Sequence, residues 1–270
     1  MDETDGGCAM ASERISFAGK ASIVTGGGAG IGRACAETLA SLGSGVCIVD
    51  VDARRGRRAV RAIKEAGGRA FHIVGDAREA STAREAVEAV SARFGGIDVL
   101  VNNAGGMFPA AATKITPGGW SAVMRANFDT AVNFAQAVAP GMLARGGVIV
   151  NVASVAGITA SPGAAHYGAA KAAIINLTQT LALEWAPRVR VNCVAPDFIR
   201  TEGTDRLMSA LDRRRMRGLI PLRRLGRPLD VANVVAFLAS DMASFVTGQT
   251  IVIDGGSLYR SRLEFMPRVQ

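Results

Sequence analysis

The sequence predicts an α/β fold, a doubly wound, parallel, seven-stranded sheet with helices on both faces in a single domain. Three observations predict it. Short apolar runs alternate with stretches of helical periodicity along the chain. A glycine turn joins the first run to the first helical pattern. The 270 residues, 49% of them hydrophobic, suffice for one sizeable core with strands buried on both faces.

Residues 1–16 are expected to be a disordered extension, 17–257 the domain and 258–270 a tail. Strands are expected at 21–25, 45–50, 69–74, 97–101, 147–153, 189–194 and 249–253, and right-handed crossovers place the intervening helices on both faces. The first strand runs into Thr25-Gly-Gly-Gly-Ala-Gly-Ile-Gly32, which opens a helix through Leu42. Strand, glycine turn and helix make a dinucleotide-binding opening of Rossmann type. Gly26 permits the tight turn, Gly30 the close approach of backbone to a pyrophosphate, and Gly32 the packing of helix on strand. The helix N-terminus adds N–H donors and a positive dipole end.

The second strand ends in Asp50, eighteen residues beyond Gly32, where a carboxylate accepts from an adenosine ribose 2′-hydroxyl and repels a 2′-phosphate. No basic residue stands in the turn at Gly27 or Gly28, nor at Val51. NAD is therefore expected over NADP. Arg54 and Arg55 read as the exposed start of a basic helix that continues through Arg57, Arg58, Arg61 and Lys64.

Further along, Ser154 follows the fifth strand, and Tyr167-Gly-Ala-Ala-Lys171 begins thirteen residues later. Residues four apart share one helix face, so a phenol and an ammonium can enter one pocket. The cation is expected to lower the phenol pKa and make Tyr167 a proton-transfer group. Ser154, at a strand's C-terminal end, can hydrogen-bond a reacting oxygen. It lacks a G-x-S-x-G elbow and a histidine/acid partner, which disfavours a hydrolase.

Taken in order, Thr25–Gly32, Asn102-Asn-Ala-Gly105, Ser154, Tyr167-x-x-x-Lys171, Asn192-Cys-Val-Ala-Pro196 and Thr247–Gly256 resemble the short-chain dehydrogenase/reductases, over about Phe17 to Gly256. The glycine spacing is that of the short, single-domain branch. The resemblance implies interconversion of a secondary alcohol and a ketone, with Tyr167 as acid/base, Ser154 orienting the substrate oxygen, and Lys171 tuning the phenol and bonding the nicotinamide ribose. It implies that Asn127, in the helical stretch Trp120 to Val138, holds a water linking the lysine to solvent. On the cofactor side it points to Gly26, Gly28, Gly30, Ile31 and Gly32 at the turn, Asp50 at the ribose, and Asp76 with Ala77 at the adenine. Asn102, Ala104 and Gly105 correspond to the turn beneath the ribose, Asn103 instead stabilising a neighbouring strand. Val152, Pro196, Ile199 and Thr201, with Tyr167 and Lys171, surround the nicotinamide. A homotetramer is the family's usual assembly, and the helix continuing through Leu177, Leu181 and Trp185 could pack on a neighbour or on its own sheet.

One departure stands out: the family usually has Pro-Gly where this chain has Pro196-Asp197. The favoured reading is neutral, because Asp tolerates left-handed backbone; the other has Asp197 entering the pocket to select a hydroxylated or cationic substrate. Residues 202–218 read as a substrate lid. Its Leu207, Met208, Leu211 and Met216, with Met107, Phe108, Ile158 and Phe198, suggest a lipophilic substrate. Arg213, Arg214, Arg215 and Arg217 read as a solvated face rather than an anion clamp. Carrier-linked 3-oxoacyl reductases and hydroxysteroid dehydrogenases are the relatives considered, although Asn133 and Gln136 stand where the former would show a basic residue. A dinucleotide sensor without catalysis is disfavoured by the intact Ser154, Tyr167 and Lys171.

The net charge of +8 comes from dispersed arginines without a nucleic-acid motif, so no nucleic-acid partner is expected. No run of eighteen uncharged apolar residues and no signal peptide is evident, which predicts a cytoplasmic protein without membrane insertion. Cys8, Cys35, Cys47 and Cys193 lack paired spacing and read as free thiols, and with only His72 and His166 no metal is expected. His72 reads as structural; His166 could line the pocket or cap its helix. The tail's Leu263, Phe265 and Met266 could cover a neighbour or the site.

Overall fold

The computed structural model describes residues 15–207 and 209–259. Its elements alternate as the periodicity predicts: β1 (Ala21–Thr25), α1 (Gly30–Ser41), β2 (Gly45–Asp50), α2 (Ala53–Glu65), β3 (Arg69–Val74), α3 (Ala80–Phe94) and β4 (Val99–Asn102). Then come α4 (Pro117–Met124), a π-helical turn (Arg125–Asp129), α5 (Thr130–Arg145), β5 (Gly147–Val152), α6 (Ala165–Glu184) and β6 (Val189–Pro196). The chain continues through α7 (Glu202–Leu207), α8 (Ala210–Leu219), α9 (Pro228–Ala239) and β7 (Thr250–Ile253).

All seven strands pair in parallel, in the order β3-β2-β1-β4-β5-β6-β7. Every residue of β1 is buried, as expected of a strand covered on both faces. One face packs Leu39 of α1, Ile63 of α2 and Val235 of α9 against Val24 and Ile48. The opposite face packs Val90 of α3, Phe134 of α5 and Leu181 of α6 against Ile23 and Leu100. Leu177 of α6 and Trp185, which caps its C-terminus, join that second layer, so this stretch packs on the chain's own sheet. The strand order reverses direction between β1 and β4, and in such a sheet the crevice beyond the strands' C-terminal ends at that point is the ligand-binding position.

β4 starts two residues later than the pattern predicts, because the Asp98 carboxylate accepts the Ala21 N–H at 2.8 Å and turns the chain into the sheet there. β6 runs on to Pro196, paired with Ile253. Residues 1–14 and the tail's Leu263, Phe265 and Met266 lie outside the described residues, as do Cys8 and Met208. Cys35, Cys47 and Cys193 are free and buried, which pushes the first two thiols to about 12 and the third to about 11. His72 sits half-buried on β3, its ring filling the space beside Gly56.

Candidate active site

A cleft of about 520 Å³ opens at the β1/β4 switch point. Gly26, Gly30 and Ile31 line it from the glycine turn, Asp50 from the end of β2, Asp76 and Ala77 from the end of β3, Ala104 and Gly105 from the end of β4, and Thr201 from above. Gly26 and Gly30 take positive φ (61° and 55°), a region costly to side chains. No side chain caps the N-terminus of α1, so its first N–H groups are left to other partners. A positive helix end free of side-chain caps, a glycine cradle and a carboxylate at the far end fit a dinucleotide's pyrophosphate and ribose.

Asp50 is held by two backbone donors, Gly28 N–H on Oδ2 and Asp52 N–H on Oδ1, both at 2.9 Å. Gly28 thus serves by fixing the carboxylate, and a Cβ there would lie 2.7 Å from Asp50 Oδ2. Gly32 faces the turn rather than the strand: a Cβ would fall 2.3 Å from the Gly26 carbonyl oxygen and 2.4 Å from Asn103 Nδ2. Gly32→Ala is therefore expected to destabilise the fold by about 1–3 kcal/mol through overpacking and to weaken NADH binding. Thermal unfolding with an NADH titration checks this; unchanged values would remove Gly32 from the turn's support.

Several residues occupy places different from those expected. Asn102 is buried away from the cleft, donating to Asn151 Oδ1 at 3.0 Å, while Asn103 lines the cleft and donates to the Thr25 carbonyl at 3.0 Å. Val152, Pro196 and Ile199 are buried and are not among the residues lining this cleft. Arg55 lines the cleft, with its Nε 3.4 Å from Asp52, instead of lying wholly on a solvated face. The Asp76 carboxylate is clasped by Arg78 at 2.6–3.0 Å, which holds its pKa below the usual carboxylate range.

Beside the cleft lies a chamber of about 750 Å³, walled by Ser154, Tyr167, Asp197, Phe198, Met107 and Met216 among others. Tyr167 and Lys171 sit one turn apart on α6, and Lys171 Nζ donates to the Val152 carbonyl at 2.8 Å. The ammonium lies 5.5 Å from the centroid of the Tyr167 ring. Ser154 lies two residues beyond β5 and caps the short turn Val155–Gly157, and two glycines lock this loop to α6. A Cβ on Gly157 would meet the Lys171 carbonyl carbon at 2.6 Å, and one on Gly168 the Ala156 oxygen at 2.8 Å. Neither glycine was singled out by the motifs, which list residues by chemistry and not by the closeness of two backbones.

The expectation that Lys171 lowers the phenol pKa needs correction. Burial dominates and pushes Tyr167 up, with only the neighbouring Ser154 hydroxyl acting the other way. Burial also lowers Lys171 from the ordinary 10.5 to about 8. Asn127 falls on the π-helical turn and is 1% exposed. Its Nδ2 donates to the carbonyls of Gly106 at 2.7 Å and Val123 at 2.8 Å, and its Oδ1 accepts the Gly106 N–H at 3.3 Å. It therefore clamps the Gly105–Gly106 turn next to Lys171, and π-turns of this kind recur at functional sites.

His166 is fully buried; its Nδ1 accepts the Tyr167 N–H at 2.9 Å, and its ring meets Phe108 edge-on at 4.6 Å. It serves the first turn of its helix and does not line the chamber. Of the lid residues Thr204 and Met216 face the chamber, next to Leu219 and Ile220 just beyond the lid; Leu211 of the lid is exposed, as are Phe108 and Ile158 elsewhere. The side chain of Leu207 lies outside the described residues. Arg214, Arg215 and Arg217 are exposed, and Arg213 approaches Asp205 at 3.6 Å; none lines the chamber.

Residues 26–257 match the family profile described as enoyl-(acyl carrier protein) reductase. The 3-oxoacyl-[acyl-carrier-protein] reductase FabG of Thermotoga maritima is 41% identical over 240 residues, covering 88% of this chain and 97% of that one. The chain is a short-chain dehydrogenase/reductase. Membership of this family makes it an oxidoreductase, and other members agree in sequence and fold. FabG of Chlamydia trachomatis is 38% identical over 88% of this chain and 96% of its own. A 7α-hydroxysteroid dehydrogenase solved with NADH and 7-oxo glycochenodeoxycholic acid superposes with a TM-score of 0.87 at 32% identity, covering 91% of this chain and 96% of that one. A gluconate 5-dehydrogenase of Burkholderia cenocepacia, solved with NADP and tartrate, gives 0.85 at 35%, over 91% and 98%.

Proposed function

We propose that this short-chain dehydrogenase/reductase interconverts a ketone and a secondary alcohol with NAD(H), and that a 3-oxoacyl thioester is the first substrate class to test. The observation that carries the chemistry is Tyr167 and Ser154 on one wall of the chamber, with Lys171 fixed behind them. Bound in the cleft, a nicotinamide dinucleotide supplies or accepts the hydride. Ser154 orients the substrate oxygen, and Tyr167 gives that oxygen a proton in reduction or takes one in oxidation. Lys171 would hold the nicotinamide ribose of a bound dinucleotide, and Asn127 keeps the adjacent turn in register.

The 3-oxoacyl reading is supported by FabG relatives matched over nearly their full length. A second reading, a hydroxylated or steroidal ketone, is favoured by Asn133, which replaces a carrier-binding base and donates to the Arg78 carbonyl at 3.0 Å. A tetrameric cytoplasmic enzyme fits the largely exposed apolar Leu183 and Phe245, and no helix among the described residues is long and apolar enough to cross a membrane.

The test follows NADH and NADPH absorbance with 3-oxoacyl thioesters, oxosteroids and hydroxyketones, using Tyr167→Phe as control. Tyr167-dependent turnover supports the reading; its absence with every class, despite NADH binding, refutes it. Asp50 supports NAD. Asp50→Ala is expected to raise the NADPH-to-NADH ratio of kcat/KM about tenfold or more by removing like-charge repulsion, with Arg55 already at the cleft to meet a phosphate. An unmoved ratio would take the preference away from Asp50.

A further inference from the structure

Asp197 does not occupy the backbone state that would make it a silent replacement for glycine. Among the described residues Arg223 is the one non-glycine with positive φ, so Asp197 gains nothing from an aspartate's tolerance of left-handed backbone. Its carboxylate instead lies on the wall of the chamber that Ser154 and Tyr167 also line. Ser257, another wall residue, donates its hydroxyl to Asp197 Oδ2 at 2.5 Å and lies 3.3 Å from Asp254 Oδ2. Asp254 is further held by the N–H groups of Gly256 and Leu258, at 2.8 and 2.7 Å. No ion pair neutralises Asp197 or Asp254 among the described residues. Around them the wall is mostly apolar, with Phe198, Met216, Leu219 and Ile220 beside the hydroxyl-bearing Thr204.

We propose that Asp197, positioned by Ser257, is the specificity determinant of the chamber and selects substrates that carry a hydrogen-bond donor such as a hydroxyl away from the reacting carbonyl, while rejecting carboxylates. This rests on the oxidoreductase reading of the same site. A half-buried carboxylate with a single side-chain donor has unused acceptor capacity, and a ligand hydroxyl supplies what water otherwise would. Burial and the neighbouring Asp254 both raise its pKa, the mark of a charge short of solvation, which a donor relieves and a second anion worsens. The donor can belong to a free hydroxyketone or to the carrier arm of a pantetheine thioester, whose chemistry at this point is the same.

The test uses matched ligands: 2-alkanones of several lengths ending in methyl, hydroxyl or carboxylate, and 3-oxobutyryl pantetheine against the 3-oxobutyryl ethyl thioester. Dissociation constants are measured on the wild type, Asp197→Ala and Asp197→Asn with and without NADH, and kcat/KM alongside; unchanged NADH affinity and thermal midpoint show that the variants are folded. The wild type is expected to prefer at least one hydroxyl or pantetheine ligand over its plain counterpart about tenfold, mostly in Kd and KM. A hydrogen bond to a charged group carries that much. Asp197→Ala should bring the ratio within about twofold, and Asp197→Asn should improve carboxylate binding about tenfold. Preference in the alkanone series alone assigns a free hydroxyketone, and in the thioester pair alone a carrier arm. Equal binding of donor and plain ligands by the wild type, or a preference that survives Asp197→Ala, overturns the inference even if Tyr167-dependent turnover is intact. Asp197-dependent binding without turnover of any ligand upholds it and removes the catalytic reading instead.

Discussion

Tyr167→Phe is expected to lower kcat by about 10²–10⁴-fold, the usual contribution of a positioned proton donor, while NADH affinity stays within about threefold. The phenylalanine ring fills the same space beside Lys171 and Ser154 but has no proton to give the substrate oxygen. The direction of the Tyr167 shift makes the effect asymmetric in pH. Burial raises the phenol, so at neutral pH Tyr167 is protonated and ready as the acid of ketone reduction. Alcohol oxidation needs the phenolate, so its rate should climb as pH rises above neutral, whereas reduction should be flat and then fall. In the phenylalanine variant both slopes should vanish along with the rate. Stopped-flow absorbance of NADH across pH 6–10 reads both limbs. A variant retaining a tenth of wild-type kcat, or an oxidation rate indifferent to pH in the wild type, would remove Tyr167 from the proton path.

The sequence made the scaffold legible because its signals are local. Glycine at 26 and 30, an apolar run before them and a helical period after them suffice to place the cleft, since each depends on neighbours within a few residues. Tyr167 and Lys171 were legible for the same reason, one helical turn apart. What escaped depends on solvent exposure or on contacts distant along the chain. In extended backbone Asn102 and Asn103 point to opposite sides, and spacing alone does not say which one meets the cleft. The direction of the Tyr167 shift is set by burial in the folded chain, which no local motif describes. Asp197 is joined to Ser257 across sixty residues, and Asn127 sits on a π-turn where its backbone carbonyl accepts the Thr130 hydroxyl at 2.8 Å. Arg55 read as a solvated residue from helical periodicity, yet it lies in the first turn of α2, where the Asp52 cap turns the helix toward the cleft.

Lys171→Met is expected to abolish the wild type's gain in stability between pH 8 and 10.5, as well as lowering kcat/KM by at least about a hundredfold, since a cation near Tyr167 and at the ribose site is lost. The sign follows from proton counts. In the fold Lys171 releases its proton near pH 8, whereas the unfolded chain holds it to about 10.5. Between those values the unfolded state binds more protons, so stability rises with pH, by about 3 kcal/mol for a shift of this size. Below pH 8 both states are protonated and the burial penalty is constant. The buried thiols work the other way: raised in the fold, they lower stability once the unfolded chain begins to ionise. Wild type and variant share Cys35, Cys47 and Tyr167, but the Cys193 thiol is coupled to Lys171, so subtracting urea unfolding free energies at each pH isolates the lysine in a Cys193→Ala background. Methionine also leaves the Val152 carbonyl without its donor, an offset that does not vary with pH and so does not affect the slope. A difference curve that rises through pH 8–10.5 identifies Lys171 as a lysine that surrenders its charge just above neutrality, limiting its help to the phenol to lower pH. A flat curve would mean that the ammonium persists in the fold to its ordinary range, so that Lys171 keeps its charge beside the phenol throughout the working pH range.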